Sequence, residues 1–314
     1  MRRASVSTAF TPGAITNFFE INYNSPVPTG ATGGGYILSR GTTTSATVVS
    51  NGDPGIHTVV NGDASYNART TRRAVELLLA ASGVRAEVSV TQDVQTPIGS
   101  GFGASASSAT SAVFAVAGAA GIRKVKAGLA LFAHRAEILE QTGLGTVSVI
   151  FDATGAGAIT VPGEPGRAKF VPVQVPRGTK IVTAFVAPFD KKEVFSSTSI
   201  SEKVNRLGHE SLQAFLSDPT LDTLAGEGER FSDALGLESV EVKKLIRLAK
   251  SAGASHASQN MVGYSVHSLV EAGGADRVAN ALREYGGGVR VDVFEVGRKK
   301  AGVVRPSRRS RGPS

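Results

Sequence analysis

From residue 97 to residue 111 the chain reads Pro-Ile-Gly-Ser-Gly-Phe-Gly-Ala-Ser-Ala-Ser-Ser-Ala-Thr-Ser, with glycines alternating at Gly99, Gly101 and Gly103. This spacing suits the binding of phosphate. Glycine lets backbone amides approach an anion without a Cβ in the way. A helix starting at Ala104 adds unpaired N–H groups and the positive end of its dipole. Ser100, Ser105, Ser107 and Ser108 add hydroxyls that can donate to phosphate oxygens or ligate magnesium.

Other glycine-rich loops fit less well. A Walker loop ends in Gly-Lys-Ser/Thr, and no lysine lies between Gly99 and Ser111. Gly99-x-Gly101-x-x-Ala104 matches a dinucleotide-binding fingerprint, but Ala119 to Lys126, where its acidic residue belongs, holds none. The lysine strand and His-Arg-Asp loop of protein kinases are missing. Neither Ser105 nor Ser108 sits in a Gly-x-Ser-x-Gly elbow, which disfavours a hydrolase nucleophile. The plainer reading is a tight strand–helix junction in which small residues merely permit close packing.

A magnesium ion on a phosphate loop takes further oxygen ligands, often a carboxylate. Arginine is the usual bidentate partner of a carboxylate; Arg40, Arg69, Arg72 and Arg73 are the nearby candidates for binding an anion. The Gly30–Gly35 run offers backbone amides instead, as a nest. The five histidines (His57, His134, His209, His256, His267) lack metal-ligand spacing, and packing or surface roles are expected for them. Cysteine is absent, which excludes disulfides, thiolate metal sites and a cysteine nucleophile.

Several elements must hold these groups in place. Ser45–Ser50 and Thr58–Val60 read as strands with a turn over Asn51–Gly55. Asn67–Ser82 reads as a helix ended by Gly83, and Val84–Val94 alternates as a strand with Val84, Ala86, Val88 and Val90 on one face. The loop then opens into a buried helix over Ala104–Ala120, followed by a helix over Val125–Thr142. Val147–Phe151 and Ala158–Val161 are expected to pair as strands. Beyond Pro162–Gly166 come a strand at Lys180–Val186, helices at Ser199–Leu216 and Val240–Ala252, a strand at Met261–Val270, a helix at Ala275–Tyr285 and a final strand at Val289–Val296. The order predicts an α+β fold, an α/β two-layer arrangement in two domains: residues 1–165 with the phosphate loop, residues 166–297 as a second α+β unit, and residues 298–314 as a basic, disordered tail.

The 314 residues are 41% hydrophobic and 19% charged, enough for a sizeable core. No apolar run reaches membrane-spanning length and no signal segment is evident, so the cytoplasm is the expected compartment. The net charge is +8, but seven basic residues from Arg298 to Arg311 carry most of it and leave residues 1–297 nearly neutral. The expected nucleic-acid contact is therefore confined to weak, salt-sensitive binding by the tail.

The segment Pro97–Ala106 resembles the central motif of the GHMP kinases, with Phe102 for the usual leucine and Ala104 for the first serine. Phe10–Phe19, containing Pro12 and Gly13, is similar to their N-terminal Pro-Gly motif in its pantoate-kinase form. Ala257–Gly263 falls where the family has its third, glycine-rich motif, and Thr142-Gly143-Leu144-Gly145 also resembles the pantoate-kinase branch.

The resemblance implies a two-domain kinase with ATP at the domain interface. It assigns nucleotide binding to Pro97, Gly99, Ser100, Gly101, Phe102, Gly103, Ala104, Ser105, Ala106, Ser107 and Ser108. It gives magnesium to Ser105 and Glu137, and the acceptor pocket to Pro12, Gly13, Thr16, Thr32, Gly33, Gly34 and Arg40. It also implies pantoate as acceptor, coenzyme A biosynthesis of archaeal type, and, by analogy, a homodimer. Without the resemblance, Glu137 reads as a helix-surface residue beside Arg135 or Gln141. Thr146, the third expected catalytic residue, stands where that branch carries an aspartate. The base is then dispensable, or Asp152 replaces it, or catalysis is lost. Homoserine or mevalonate as acceptor, and a catalytically silent binding protein of this fold, are the alternatives.

Overall fold

The computed structural model describes residues 3–22, 29–50, 53–188, 198–261 and 263–304. Val262, Asn51–Gly52 and the tail from Arg305 onward lie outside them.

Two long antiparallel strands, β1 (Arg3–Asn22) and β2 (Gly30–Ser50), form the spine of the first sheet. The far half of β2 pairs with β4 (Ala86–Val94), which pairs in parallel with β3 (Gly55–Val60). Its near half pairs with β5 (Ala156–Val161), and β6 (Lys169–Val173) adds to β5. β6 thus belongs to the first sheet although it lies past the boundary expected at residue 165.

The second sheet is antiparallel, in the order β10 (Arg290–Glu295), β7 (Lys180–Ala187), β9 (Tyr264–Val270), β8 (His256–Gln259). The last strand, β11 (Gly302–Val303), returns to the edge of β1. Ala301 is buried and the Lys299 ammonium lies 4.5 Å from the centre of the Phe10 ring. The expected tail therefore does not begin at residue 298. The small apolar run after Lys300 finds an open strand edge and pairs with it.

The helices follow from their patterns. α1 (Arg69–Ser82) ends on Gly83 in the left-handed conformation, φ +63°. α2 (Ala104–Ala120) is buried along most of its length, because alanine and serine allow it to lie close against β1 and β2. α3 (Lys126–Glu140) packs beside it. Thr146–Ile150 forms a short helix, α4, where a strand was expected. A five-residue apolar run has no periodicity that separates the two states, and packing against α2 and α3 decided it. Val147 and Ile150 join the same core as Phe132 and Val113.

In the second half, α5 (Thr198–Ser217) and α6 (Leu221–Leu235) pack on β1. α6, whose Thr220 cap accepts from the Thr223 amide, was not foreseen. Gly228 lets α6 approach Asn17, whose side chain donates to Leu224 O at 2.9 Å. A single apolar cluster contains Phe18 and Leu38 of the first sheet, Phe215 and Phe231 of these helices, and Ile181 and Phe294 of the second sheet. Each such buried aromatic or aliphatic side chain contributes about 1.5–3 kcal/mol of hydrophobic stabilisation. α7 (Val240–Ser251) and α8 (Ala275–Glu284) cover the second sheet.

Candidate active site

The glycine loop adopts a conformation that only glycine takes easily: Gly99, Gly101 and Gly103 have φ of +84°, +82° and +65°. Gly103 caps α2, and the first helical turn faces a cavity of about 270 Å³. Gly99, Gly101, Gly103, Ala104, Ser105, Ala106, Ser108 and Glu137 all line it, as do Arg69 and Tyr66.

At its floor, Ser105 Oγ donates to Glu137 Oε1 at 2.6 Å. Glu137 is 1% exposed and accepts a further bond from Thr142 Oγ1 at 3.4 Å, which in turn meets Thr70 Oγ1 at 3.2 Å. The reading of Glu137 as a helix-surface residue is thereby overturned. Two hard oxygen donors beside a helix N-terminus suit magnesium, with phosphates and water completing its shell. Among the described residues no three His, Asp or Glu side chains cluster as a metal site.

Ser100 and Phe102 border this cavity as well and Ser107 does not, yet the side chains of all three are held by contacts elsewhere. Ser100 is 1% exposed and its hydroxyl donates to Ala187 O at 2.7 Å, so it pins the loop to β7. Ser107 is buried and bonds Thr42 Oγ1 at 2.8 Å. Ser108, although on the cavity wall, also reaches Thr42, at 3.2 Å. Phe102 turns inward against Phe294, with ring centres 6.2 Å apart. These side-chain contacts anchor the loop. Pro97 lines neither cavity.

A larger cavity of about 560 Å³ adjoins the first. Ala14, Thr16, Gln141, Thr142, Thr146 and Met261 line both, which marks their junction. Two of these, Gln141 (φ +56°) and Met261 (φ +53°), are left-handed without being glycine, a strain that clusters at functional sites. Gln141 ends α3 and turns Thr142–Gly143 back over Glu137. Thr32, Gly33 and Gly34, which the resemblance assigned to the acceptor pocket, line the larger cavity.

Pro12 and Gly13 lie beneath the loop instead. A Cβ on Gly13 would be 2.9 Å from Phe102 O, and that carbonyl accepts from the Ala14 amide at 3.1 Å. Arg40 is directed away: it bonds Asp292 at 3.1 Å and Val293 O at 3.2 Å, and lies over the Phe294 ring. Arg72 and Arg73 are engaged with Thr58, and with Glu140 and Glu76.

Thr146 sits at the junction, 3.2 Å from the position a Cβ on Gly103 would occupy. Asp152 does not substitute for it. It pairs with Lys126 at 3.0 Å and Lys300 at 3.5 Å on the surface; burial is the largest single influence and opposes ionisation, but the bonds and charges of these two ammonium groups together outweigh it and keep its pKa lowered. His134 is buried, which lowers its pKa, and lines neither cavity.

Asn260, Ser265 and His267 brace the loop from behind. Ser265 Oγ donates to Ser100 O at 2.8 Å, with Asn260 Nδ2 at 3.5 Å. His267 holds Asn260 Oδ1 at 2.6 Å, and burial pushes its pKa down to about 3, so this imidazole stays neutral. The brace consists of polar groups whose types are common, and only their tertiary proximity reveals it.

Residues 69–154, from α1 through α4, match the profile of the GHMP kinases N terminal domain. The chain carries a GHMP kinase N-terminal domain. The loop, Glu137 and Thr146 all lie inside this GHMP kinase domain, whereas β1 and segment 257–263 complete the site from outside it. A curated "Pantoate kinase" of Thermococcus kodakarensis is 26% identical over 281 residues, covering 88% of this chain and 91% of that protein. A second, from Methanospirillum hungatei, is 25% identical, covering 89% and 91%. A solved structure described as "Phosphotransferase related to CoA biosynthesis pathway" superposes with a TM-score of 0.85 at 24% identity, covering 96% of this chain and 99% of that one. The mixed α/β fold is thus the GHMP-kinase fold. No helix among the described residues is long and apolar enough to cross a membrane.

Proposed function

We propose that the protein is a small-molecule kinase that transfers the γ-phosphoryl group of ATP to an alcohol held in the larger cavity. The supporting observation is that two cavities, one bordered by Ser105 and Glu137 at a helix N-terminus, share Thr16, Thr142 and Thr146 in their linings. The acceptor suggested by the curated relatives' names is pantoate, phosphorylated on its 4-hydroxyl in coenzyme A biosynthesis.

Loop amides and the start of α2 would bind the β- and γ-phosphates. Ser105 and Glu137 would hold magnesium. A bound magnesium ion supplies charge neutralisation on the phosphate oxygens. Thr16, Thr142 and Thr146 would orient the acceptor hydroxyl in line with the γ-phosphorus. The acceptor oxygen bonds to that phosphorus as its bond to the β,γ-bridging oxygen breaks, ADP leaves, and the hydroxyl proton passes to water. Thr146 has no useful basicity near neutral pH, so positioning and charge neutralisation carry the catalysis. Division of the chain into a loop-bearing unit and a closing unit belongs to the same proposal, as does a cytoplasmic setting.

Coupled ADP release with pantoate, homoserine and mevalonate tests the reading. Turnover with pantoate and not the others is expected. Absence of ATP binding at the loop, with no turnover on any acceptor, would leave the silent binding protein as the better account.

A further inference from the structure

A triphosphate carries several negative charges, and the loop that meets it brings no full positive charge. The glycine loop offers amides, with no lysine between Gly99 and Ser111. Glu137, at the proposed metal position, is itself an acid and cancels part of the charge of a magnesium ion. Among the described residues that line either cavity, Arg69 is the one lysine, arginine or histidine, and it borders the phosphate cavity.

Arg69 opens α1 near the junction of the two cavities. Its neighbour Thr70 meets Thr142 Oγ1 at 3.2 Å, and Thr142 borders both cavities and reaches Glu137 at 3.4 Å. The next arginines on the helix are committed, Arg72 to Thr58 Oγ1 and Arg73 to Glu140 and Glu76. Arg69 is held far more loosely. Its Nε stands 3.9 Å from Glu140 Oε2, too far for a hydrogen bond, and Arg73 already answers that carboxylate at 3.2 Å. The side chain is 44% exposed, so its fork has room to turn into the cavity.

The start of a helix is also an unfavourable place for a loosely paired cation, because the dipole is positive there. The first turn of α1 has no acidic residue, and Ala68 supplies no side-chain cap. The guanidinium and the helix end repel each other, and both attract a phosphate that enters the cavity.

We infer that Arg69 is a catalytic residue whose guanidinium donates to oxygens of the β- and γ-phosphates and neutralises their charge during transfer. It takes the part that a loop lysine plays in other nucleotide sites, with a planar fork suited to two phosphate oxygens. This rests on the phosphotransfer reading and adds to it the cation that the loop lacks.

Calorimetry on the full chain with Mg-ATP, together with the ADP-release assay and Tm, tests the inference. Arg69→Gln is expected to weaken Mg-ATP binding and to lower kcat, each by about tenfold or more. Its Tm should be no lower than that of wild type, because the substitution removes a charge that opposes the α1 dipole. Arg69→Lys keeps the charge without the fork and should recover part of both losses. Unaltered Mg-ATP binding, a loss accompanied by a lowered Tm, or no recovery with lysine would overturn it. The phosphotransfer reading fails separately: it requires Mg-ATP to bind the wild-type chain and to bind Ser105→Ala weakly, whatever Arg69 does.

Discussion

Gly143 lies flat against the carboxylate of Glu137, so close that a Cβ built on it would be 2.5 Å from Oε2 and 2.8 Å from both Cδ and Oε1. Its backbone is not left-handed; the position demands space and not an unusual dihedral. Gly143→Ala must therefore displace the carboxylate. A misplacement on the order of 1 Å costs roughly 10²-fold in rate, and that loss in kcat is expected with the fold intact by circular dichroism. An unchanged kcat would show that Glu137 has no fixed position to defend.

Ser105 and Glu137 share one hydrogen bond and are proposed to share one ion. Ser105→Ala and Glu137→Gln should each lower kcat by about 10²-fold, and the double variant should lose little more, since both remove the same unit. Magnesium titration of nucleotide binding should lose its saturation in each. Strictly additive losses would separate the two residues.

Ser100 predicts the opposite pattern. Its hydroxyl satisfies Ala187 O across the boundary between loop and second sheet. Ser100→Ala leaves that carbonyl short of a donor and should cost about 1–3 kcal/mol of stability. The rate effect should fall mainly on the KM for ATP, through a looser loop. Loss of kcat without loss of stability would assign the hydroxyl to chemistry.

His256 contacts Asp222 at 2.9 Å and Glu229 at 3.5 Å. The Glu229 bond chiefly raises its pKa above 6.5; burial opposes this and Asp222 reinforces it. The folded state thus holds the proton more tightly than the unfolded one. The resulting stability is full below the unfolded value and is lost as pH rises through the folded value. Wild type should exceed His256→Gln in Tm at pH 6, with the gap closing toward pH 9. A gap independent of pH would rule out a charged imidazole. Glu229 works in the acid range: burial raises its pKa, but His256, Lys250 and the Ala257 amide outweigh this and bring it down to about 2.

Thr146 stands at the meeting of the two cavities with a neutral side chain. Thr146→Asp would put a carboxylate beside the acceptor hydroxyl and should raise kcat by about 10²-fold, the lower end for general-base assistance. Pre-steady-state ADP formation is the measurement, because slow product release would otherwise hide the gain. No change in that phase would show that proton removal does not limit the rate.

The sequence by itself determined the local features. Alternating glycines can be read as a left-handed loop because only glycine takes those dihedrals cheaply. The ends of α1 and α2 were legible at Gly83 and Gly121, and the candidate pair Ser105 and Glu137 came from a motif that a family resemblance could supply. Tertiary structure decided which way each side chain points. Ser100, Ser107 and Phe102 belong to the same motif as Ser105, yet they face Ala187, Thr42 and Phe294. Arg40 was near the acceptor loop in sequence and is paired with Asp292, 252 positions away. The helix at Thr146–Ile150, the pairing of Gly33–Gly34 with two flanking strands, and the brace from Asn260 and Ser265 all depend on contacts between distant segments. Such contacts leave no local periodicity or propensity for a linear reading to detect, because the energy that selects them exists only once the sheets and helices have packed.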